Sequence, residues 1–168
     1  MSRETERTAS APPADLASEI GKEHPFEIAG QEAYLNLIRT RSVLAADFAP
    51  VFRAAGLGEA QYNALRIVTG SGPNGARIDT IRRRLVDRDP DVSRLVDRLE
   101  KAGLVTRGSD PDDRRAVRII ATDEGRRLAR RLRRDLDRIH RTQFAHLADA
   151  ELEALNRLLF KARQRPSS

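Results

Sequence analysis

Between residues 89 and 120 the sequence compresses a sharply started helix, an abrupt stop and two short alternating strands, and few folds accept that succession. Asp89 is a candidate N-cap, Pro90 suits the first helical position, and Asp91 suits the positive end of the helix dipole. Val92, Leu95, Val96 and Leu99 then recur at i, i+3, i+4 and i+7, which puts them on one face. Asp91, Ser93, Arg94, Asp97, Arg98 and Lys101 fall on the other face, and Gly103 ends the helix. Residues 104–107 and 116–120 are short, β-branched and alternating. They flank the polar turn Gly108-Ser-Asp-Pro-Asp-Asp-Arg-Arg115. A two-stranded hairpin is marginal alone, so it must lean on helices.

Those helices can be read on both sides. An apolar stripe begins at Gln31 and runs through Tyr34, Leu37, Ile38, Leu44, Ala45, Phe48, Val51 and Phe52, interrupted by Arg41 and ended by Gly56 and Gly58. A second helix spans about residues 59–68, with Tyr62, Leu65 and Val68 inward, and the loop 70–75 separates it from a short helix at about 79–85. Thr122 caps a further helix whose stripe is Leu128, Leu132, Leu136 and Ile139. The last helix starts near Asp149 and carries Leu152, Leu155, Leu158, Leu159 and Ala162. Two short helices, a capped third and a hairpin compose a winged helix-turn-helix. The expected fold is therefore mainly α, with a two-stranded β-wing and long flanking dimerisation helices. Residues 1–30 read as a flexible N-terminal tail of net charge −3, with a short turn of helix at 16–20. Residues 31–165 read as one domain, in which 58–121 form the DNA-binding module and 31–55 and 123–165 the dimerisation helices.

Composition narrows the chemistry. The 168 residues suit one domain, and 31 Lys+Arg against 25 Asp+Glu give a net charge of +6. The absence of Cys excludes disulfides, thiolate zinc sites, a cysteine nucleophile and thiol redox sensing within this chain. With no Trp, two Tyr and five Phe, a stacking platform for single-stranded nucleic acid is disfavoured. His24, His140 and His146 do not share ligand spacing, so no metal and no cofactor is expected. No nucleophile–base pair or phosphate-cradling glycine loop is present, and the chain is not read as an enzyme. The first 13 residues carry charges and prolines rather than an apolar run, and no apolar stretch has membrane-spanning length, so a cytoplasmic protein is expected.

The runs Asp110-Pro-Asp-Asp-Arg-Arg-Ala-Val-Arg-Ile-Ile-Ala-Thr-Asp-Glu-Gly125 and Ser93-Arg-Leu-Val-Asp-Arg-Leu-Glu-Lys-Ala-Gly-Leu-Val105 resemble the wing signature and recognition helix of the multiple-antibiotic-resistance repressor (MarR) family of bacterial transcriptional regulators. The resemblance extends over about residues 31–163. It implies a triangular homodimer with interlocked outer helices, two winged modules on a pseudo-palindromic operator, and affinity tuned by small ligands. The sequence departs from the family at Val86-Asp-Arg-Asp-Pro-Asp91, where small polar residues are usual. Carboxylates there repel phosphates unless they cap the helix or accept from cytosine amino groups.

The expected function is sequence-specific binding of double-stranded DNA as a homodimeric repressor. The alternative is a helical protein-interaction adaptor without specific DNA binding. The candidate DNA-binding residues are Arg88, Pro90, Asp91, Ser93, Arg94, Arg98, Asp113, Arg114 and Arg115. Arg94 is read as a phosphate contact or as the partner of Asp91 or Asp97, and Arg98 equally as a contact or an internal pair. Asp110 and Asp113 are read as orienting Arg114 and Arg115 by ion pairing. The eight arginines between residues 126 and 141, against Asp135 and Asp137, either track a DNA backbone or form the wet side of a dimer helix. Tyr34, Arg41, Phe48, Tyr62 and Arg66 are candidate lining for a small aromatic or anionic effector. Arg41, a charge inside an apolar stripe, calls for an anionic partner there.

Overall fold

Helical periodicity and turn chemistry lay down ten elements in the computed structural model, which describes residues 15–87, 91–110, 113 and 116–164. The helix-forming stretches give α1 (Leu16–Glu19), α2 (Ala29–Ala54), α3 (Glu59–Gly70), α4 (Ile78–Arg84), α5 (Val92–Lys101), α6 (Asp123–Gln143) and α7 (Asp149–Arg163). The strands are β1 (Ala76–Arg77), β2 (Val105–Ser109) and β3 (Val117–Ala121). The chain divides into two compact units between Ala45 and Ala46, inside α2.

In the first unit the expected tail is partly structured. Asp15 caps α1 by accepting from the Ser18 N–H at 2.8 Å; the Ser18 hydroxyl, which donates to the same carboxylate at 2.6 Å, and then that backbone bond hold its carboxyl below the ordinary Asp value. Glu19 pairs with Arg39 at 2.7 Å. The helix expected from Gln31 begins at Ala29. Its stripe does not close over itself: Tyr34, Leu37 and Ile38 remain 63%, 46% and 50% exposed.

In the second unit α3, α5, α6 and the sheet close over one core. Leu65, Val68, Ile81, Val96, Leu99 and Ile119 are fully buried there. Phe48, Val51 and Phe52, from the end of α2, pack against that core half-buried. The side chains of α7 contribute no buried residue, and Leu158 and Phe160 are 62% and 59% exposed.

The expected two-stranded wing is the β2–β3 hairpin, and β1 joins it to make a three-stranded antiparallel sheet of order β1-β3-β2. The extra strand is only two residues long, too short for a visible alternation, and its pairing is remote in sequence: Ala76 lies opposite Ile119 and Arg77 opposite Arg118. Gly75, with φ +66°, makes the approach to that pairing possible. In the hairpin Val105 faces Ala121 and Ser109 faces Val117. Thr122 then accepts from the Gly125 N–H at 3.0 Å and starts α6, as its sequence indicates.

Candidate DNA-binding surface

The surface is organised by α5. Val92, Val96 and Leu99 anchor its inner face in the core, so Ser93, Arg94, Arg98 and Lys101 are exposed on a rigid base. The start of the helix corrects the sequence expectation. Its N-cap is Asp91, not Asp89: the Asp91 carboxylate accepts from the Arg94 N–H at 3.1 Å, three residues on, where an N-cap acceptor reaches. Asp89, Pro90 and Arg88 lie outside the described residues. The same Asp91 carboxylate lies 3.1 Å from Arg94 Nε, so of the two partners weighed for Arg94 the structure selects Asp91. Arg98 has no ion pair among the described residues.

Asp97 is engaged elsewhere. Arg107 of β2 reaches back to α5, donating to Asp97 at 2.6 Å through one amino group and to Glu100 through the other. The hydrogen bond to Asp97 is the largest influence holding the Arg107 guanidinium above its ordinary range. Nothing in local sequence marks Arg107, because its partners sit seven and ten residues earlier across a turn. Forked arginine pairs of this kind fix orientation as well as adding energy. A double-mutant cycle of Arg107→Ala with Asp97→Ala is expected to give a coupling of about 0.2–1 kcal/mol in thermal or urea unfolding. A coupling indistinguishable from zero would mean that the brace does not form in solution.

The base of the wing holds a second cluster. Asp110, 1% exposed, accepts from Arg77 Nε at 2.6 Å and from Arg118 Nε at 2.8 Å. Asp110 thus pairs with Arg77 and Arg118, neither of which its sequence context suggested. Asp113 is exposed, and its carbonyl accepts from the Ala116 N–H at 2.9 Å while the Asp110 N–H donates to the Ala116 carbonyl at 3.2 Å. Arg114 and Arg115 lie outside the described residues. On α6, Arg126 pairs with Asp123, Arg127 with Glu124, Arg133 with Asp137 and Arg138 with Asp135, so local acids neutralise half of that arginine series.

A cleft of about 810 Å³ opens between α3, α6 and the end of α2. Phe48, Tyr62 and Arg66 line it, as their sequence pattern suggested. Phe52, Arg130 and His140 join them, and the Phe48 ring lies 4.9 Å from that of His140, centre to centre. Burial pushes the Tyr62 hydroxyl above its ordinary pKa. Tyr34 and Arg41 belong to the first unit, are exposed, and are not part of the lining. Arg41 also has no ion pair among the described residues: the N-terminal half of the stripe is open to solvent, so its charge needs none. Among the described residues no group of three His or acidic side chains could hold a metal ion, and no helix is long and apolar enough to cross a membrane.

Comparison with known proteins follows this architecture. Residues 55–116, which span α3 to the hairpin turn, match the model of the MarR family. The chain is 29% identical over 103 residues to the HTH-type transcriptional regulator FarR of Neisseria gonorrhoeae, a match covering 61% of this chain and 69% of that one. Among solved structures, a MarR transcription factor from Planctomyces limnophilus shares 38% identity at a TM-score of 0.60, covering 80% of this chain and 98% of that one. Bordetella bronchiseptica BpsR, described with a mechanism for regulation of DNA binding by 6-hydroxynicotinic acid, shares 25% identity at a TM-score of 0.71, covering 85% of this chain and 100% of that one.

Proposed function

Because the chain belongs to the MarR family of transcriptional regulators, we propose that it acts as a homodimeric repressor on a pseudo-palindromic operator and is released by a small effector seated in its cleft. The observation that carries the DNA part is α5, capped at Asp91, anchored by Val96 and Leu99, and presenting Ser93, Arg94 and Arg98 outward. A helix held in this way enters a major groove as a preformed element, and two-fold symmetry pairs it with a second copy one helical turn away. The wing residues Arg114 and Arg115 are proposed as backbone or minor-groove contacts on sequence grounds. Residues 58–121 serve as the DNA-binding module and the long outer helices as the dimer contact.

The effector reading rests on the aromatic and cationic lining of the cleft, from Phe48, Tyr62 and Arg66, and on the regulation described for BpsR. An anionic aromatic molecule would meet rings on one side and guanidinium groups on the other.

The test is footprinting on DNA upstream of the coding sequence, with a scrambled duplex as control, repeated with a panel of aromatic acids. Protection of an imperfect inverted repeat, lost on adding one of the acids, is the expected result. Equal affinity for both duplexes at every salt concentration would remove the operator reading. Loss of reporter repression on deleting the protein tests the sign of regulation.

Asp91→Asn separates capping from base reading. Asn retains a cap acceptor while the repulsive charge near phosphates disappears. We expect tighter nonspecific binding and a smaller ratio of cognate to scrambled affinity, measured by titration at two salt concentrations. If neither quantity moves, Asp91 is a cap that faces away from DNA.

A further inference from the structure

Arg130, Arg131 and Arg134 of α6 stand together on successive turns, are exposed, and have no ion pair among the described residues. With Glu124, Arg127 and Leu128 they surround a surface recess of about 410 Å³. Glu124 is already paired with Arg127 and leaves the other three uncompensated. Like charges three and four residues apart on a helix repel, so this face is costly when bare. Its place in the fold favours protein over DNA as the cover. The helix starts beside the C-terminal end of α5, where the Thr122 hydroxyl donates to the Gly103 carbonyl at 2.7 Å and the Thr122 N–H to the Leu104 carbonyl at 3.1 Å. That is the end of α5 remote from its Asp91 cap.

The complementary charge lies in the first unit. Asp15, Glu19, Glu23, Glu27 and Glu32 stand against Lys22 alone over residues 15–32, a net charge of −4. Glu19 is taken by Arg39. Lys22 is turned onto its own loop: its ammonium donates to the His24 and Pro25 carbonyls at 2.7 and 3.3 Å and lies 5.3 Å from the centre of the Phe26 ring. Glu23 and Glu27, in that same loop, are exposed and have no ion pair among the described residues. The loop leads straight into α2, and α6 is joined to α7 by residues 144–148. Both charged surfaces therefore adjoin the helices proposed above as the dimer contact.

We propose that Glu23 and Glu27 of one protomer dock on the Arg131–Arg134 face of α6 in the second copy, so that the dimer is clamped twice by charge outside its apolar contact. The proposal rests on the homodimer reading above. Exposed pairs contribute little each and are screened by salt, so the clamp tunes the dimer constant and the choice of partner rather than creating the dimer.

The experiment is sedimentation of the full-length protein at low and high salt, with Arg130 left in place because it also lines the cleft. Arg131→Glu with Arg134→Glu should weaken the dimer about tenfold at low salt. The difference from wild type should shrink near 1 M salt, where the Debye length is about 3 Å. Glu23→Lys with Glu27→Lys should weaken it similarly. Mixed together, the two variants should form the mixed dimer in excess of random pairing, because each of its two clamps then joins opposite charges. If the arginine reversal impairs folding, Arg131→Gln with Arg134→Gln removes the charge alone and should weaken the dimer by a smaller factor. Random pairing in the mixture would overturn the proposal, since charges matched within one chain gain nothing from the exchange. Wild-type dimer constants in both variants would overturn it as well. An arginine variant that keeps the dimer but loses affinity for cognate and scrambled DNA alike would assign the face to phosphate instead. A wild type that is monomeric at micromolar concentration would overturn the homodimer reading itself, a distinguishable result.

Discussion

Gly75→Ala is expected to destabilise the protein by about 2–5 kcal/mol, while Gly72→Ala in the same loop costs only about 1–2 kcal/mol. Both glycines have positive φ, +66° and +81°, so Ala pays the left-handed penalty of roughly 1–2 kcal/mol at either position. They differ in what a methyl group would meet. At Gly72 nothing lies within 4 Å, whereas at Gly75 a Cβ would sit 2.0 Å from the Ile119 carbonyl oxygen and 2.9 Å from the Ile120 Cα. Those are backbone atoms of β3 and cannot swing aside, which adds an overpacking cost of about 1–3 kcal/mol. For a chain of this size each kcal/mol lowers the melting temperature by about 2–4 °C. Thermal unfolding of the two variants side by side isolates the steric part. Equal losses would mean that β1 does not close against β3 in solution.

Leu155→Asp should convert the proposed dimer to a monomer and lower operator affinity. Leu152, Leu155 and Leu159 of α7 are only partly covered within one chain, and Leu158 and Phe160 are largely exposed. Apolar surface of that kind is what the proposed dimer contact would cover. An unpaired buried carboxylate in an interface costs roughly 2–5 kcal/mol. That corresponds to about thirtyfold to several thousandfold in affinity. Sedimentation at micromolar concentration should show the wild type as a dimer and the variant at half that mass, with helix content retained. The wild-type melting temperature should also rise with concentration, and that of the variant should not. A monomeric wild type would refute the dimer contact; an unchanged dimer in the variant would place it off α7.

Helices, the hairpin and the Thr122 cap were legible because their signals are local: a period of three to four residues, a turn cluster, an acceptor three residues before the amide it caps. Local signals also misled where several residues could play one part. Asp89 and Asp91 both have capping side chains, and only the observed Asp91 bond to the Arg94 amide decides between them. Contacts remote in sequence were not legible. No window of sequence shows that Arg107 will fork onto Asp97 and Glu100, or that a carboxylate in the wing will meet Arg77 far upstream. The cleft was legible only in part. Phe48, Tyr62 and Arg66 follow from the convergence expected of their helices, whereas Tyr34 and Arg41 share the stripe of α2 but lie on its exposed N-terminal half.

The short β1 strand has a consequence for how the module opens. Ala76 and Ile119 are buried partners drawn from distant parts of the chain, so separating them exposes core and disturbs α3, α4 and the hairpin together. Amide protons at the β1–β3 pairing should therefore exchange with solvent deuterium only through global unfolding. Those beyond that pairing, at Ser109 opposite Val117, should exchange through local fraying. The hairpin is thus rooted at a strand that shares the fate of the whole core.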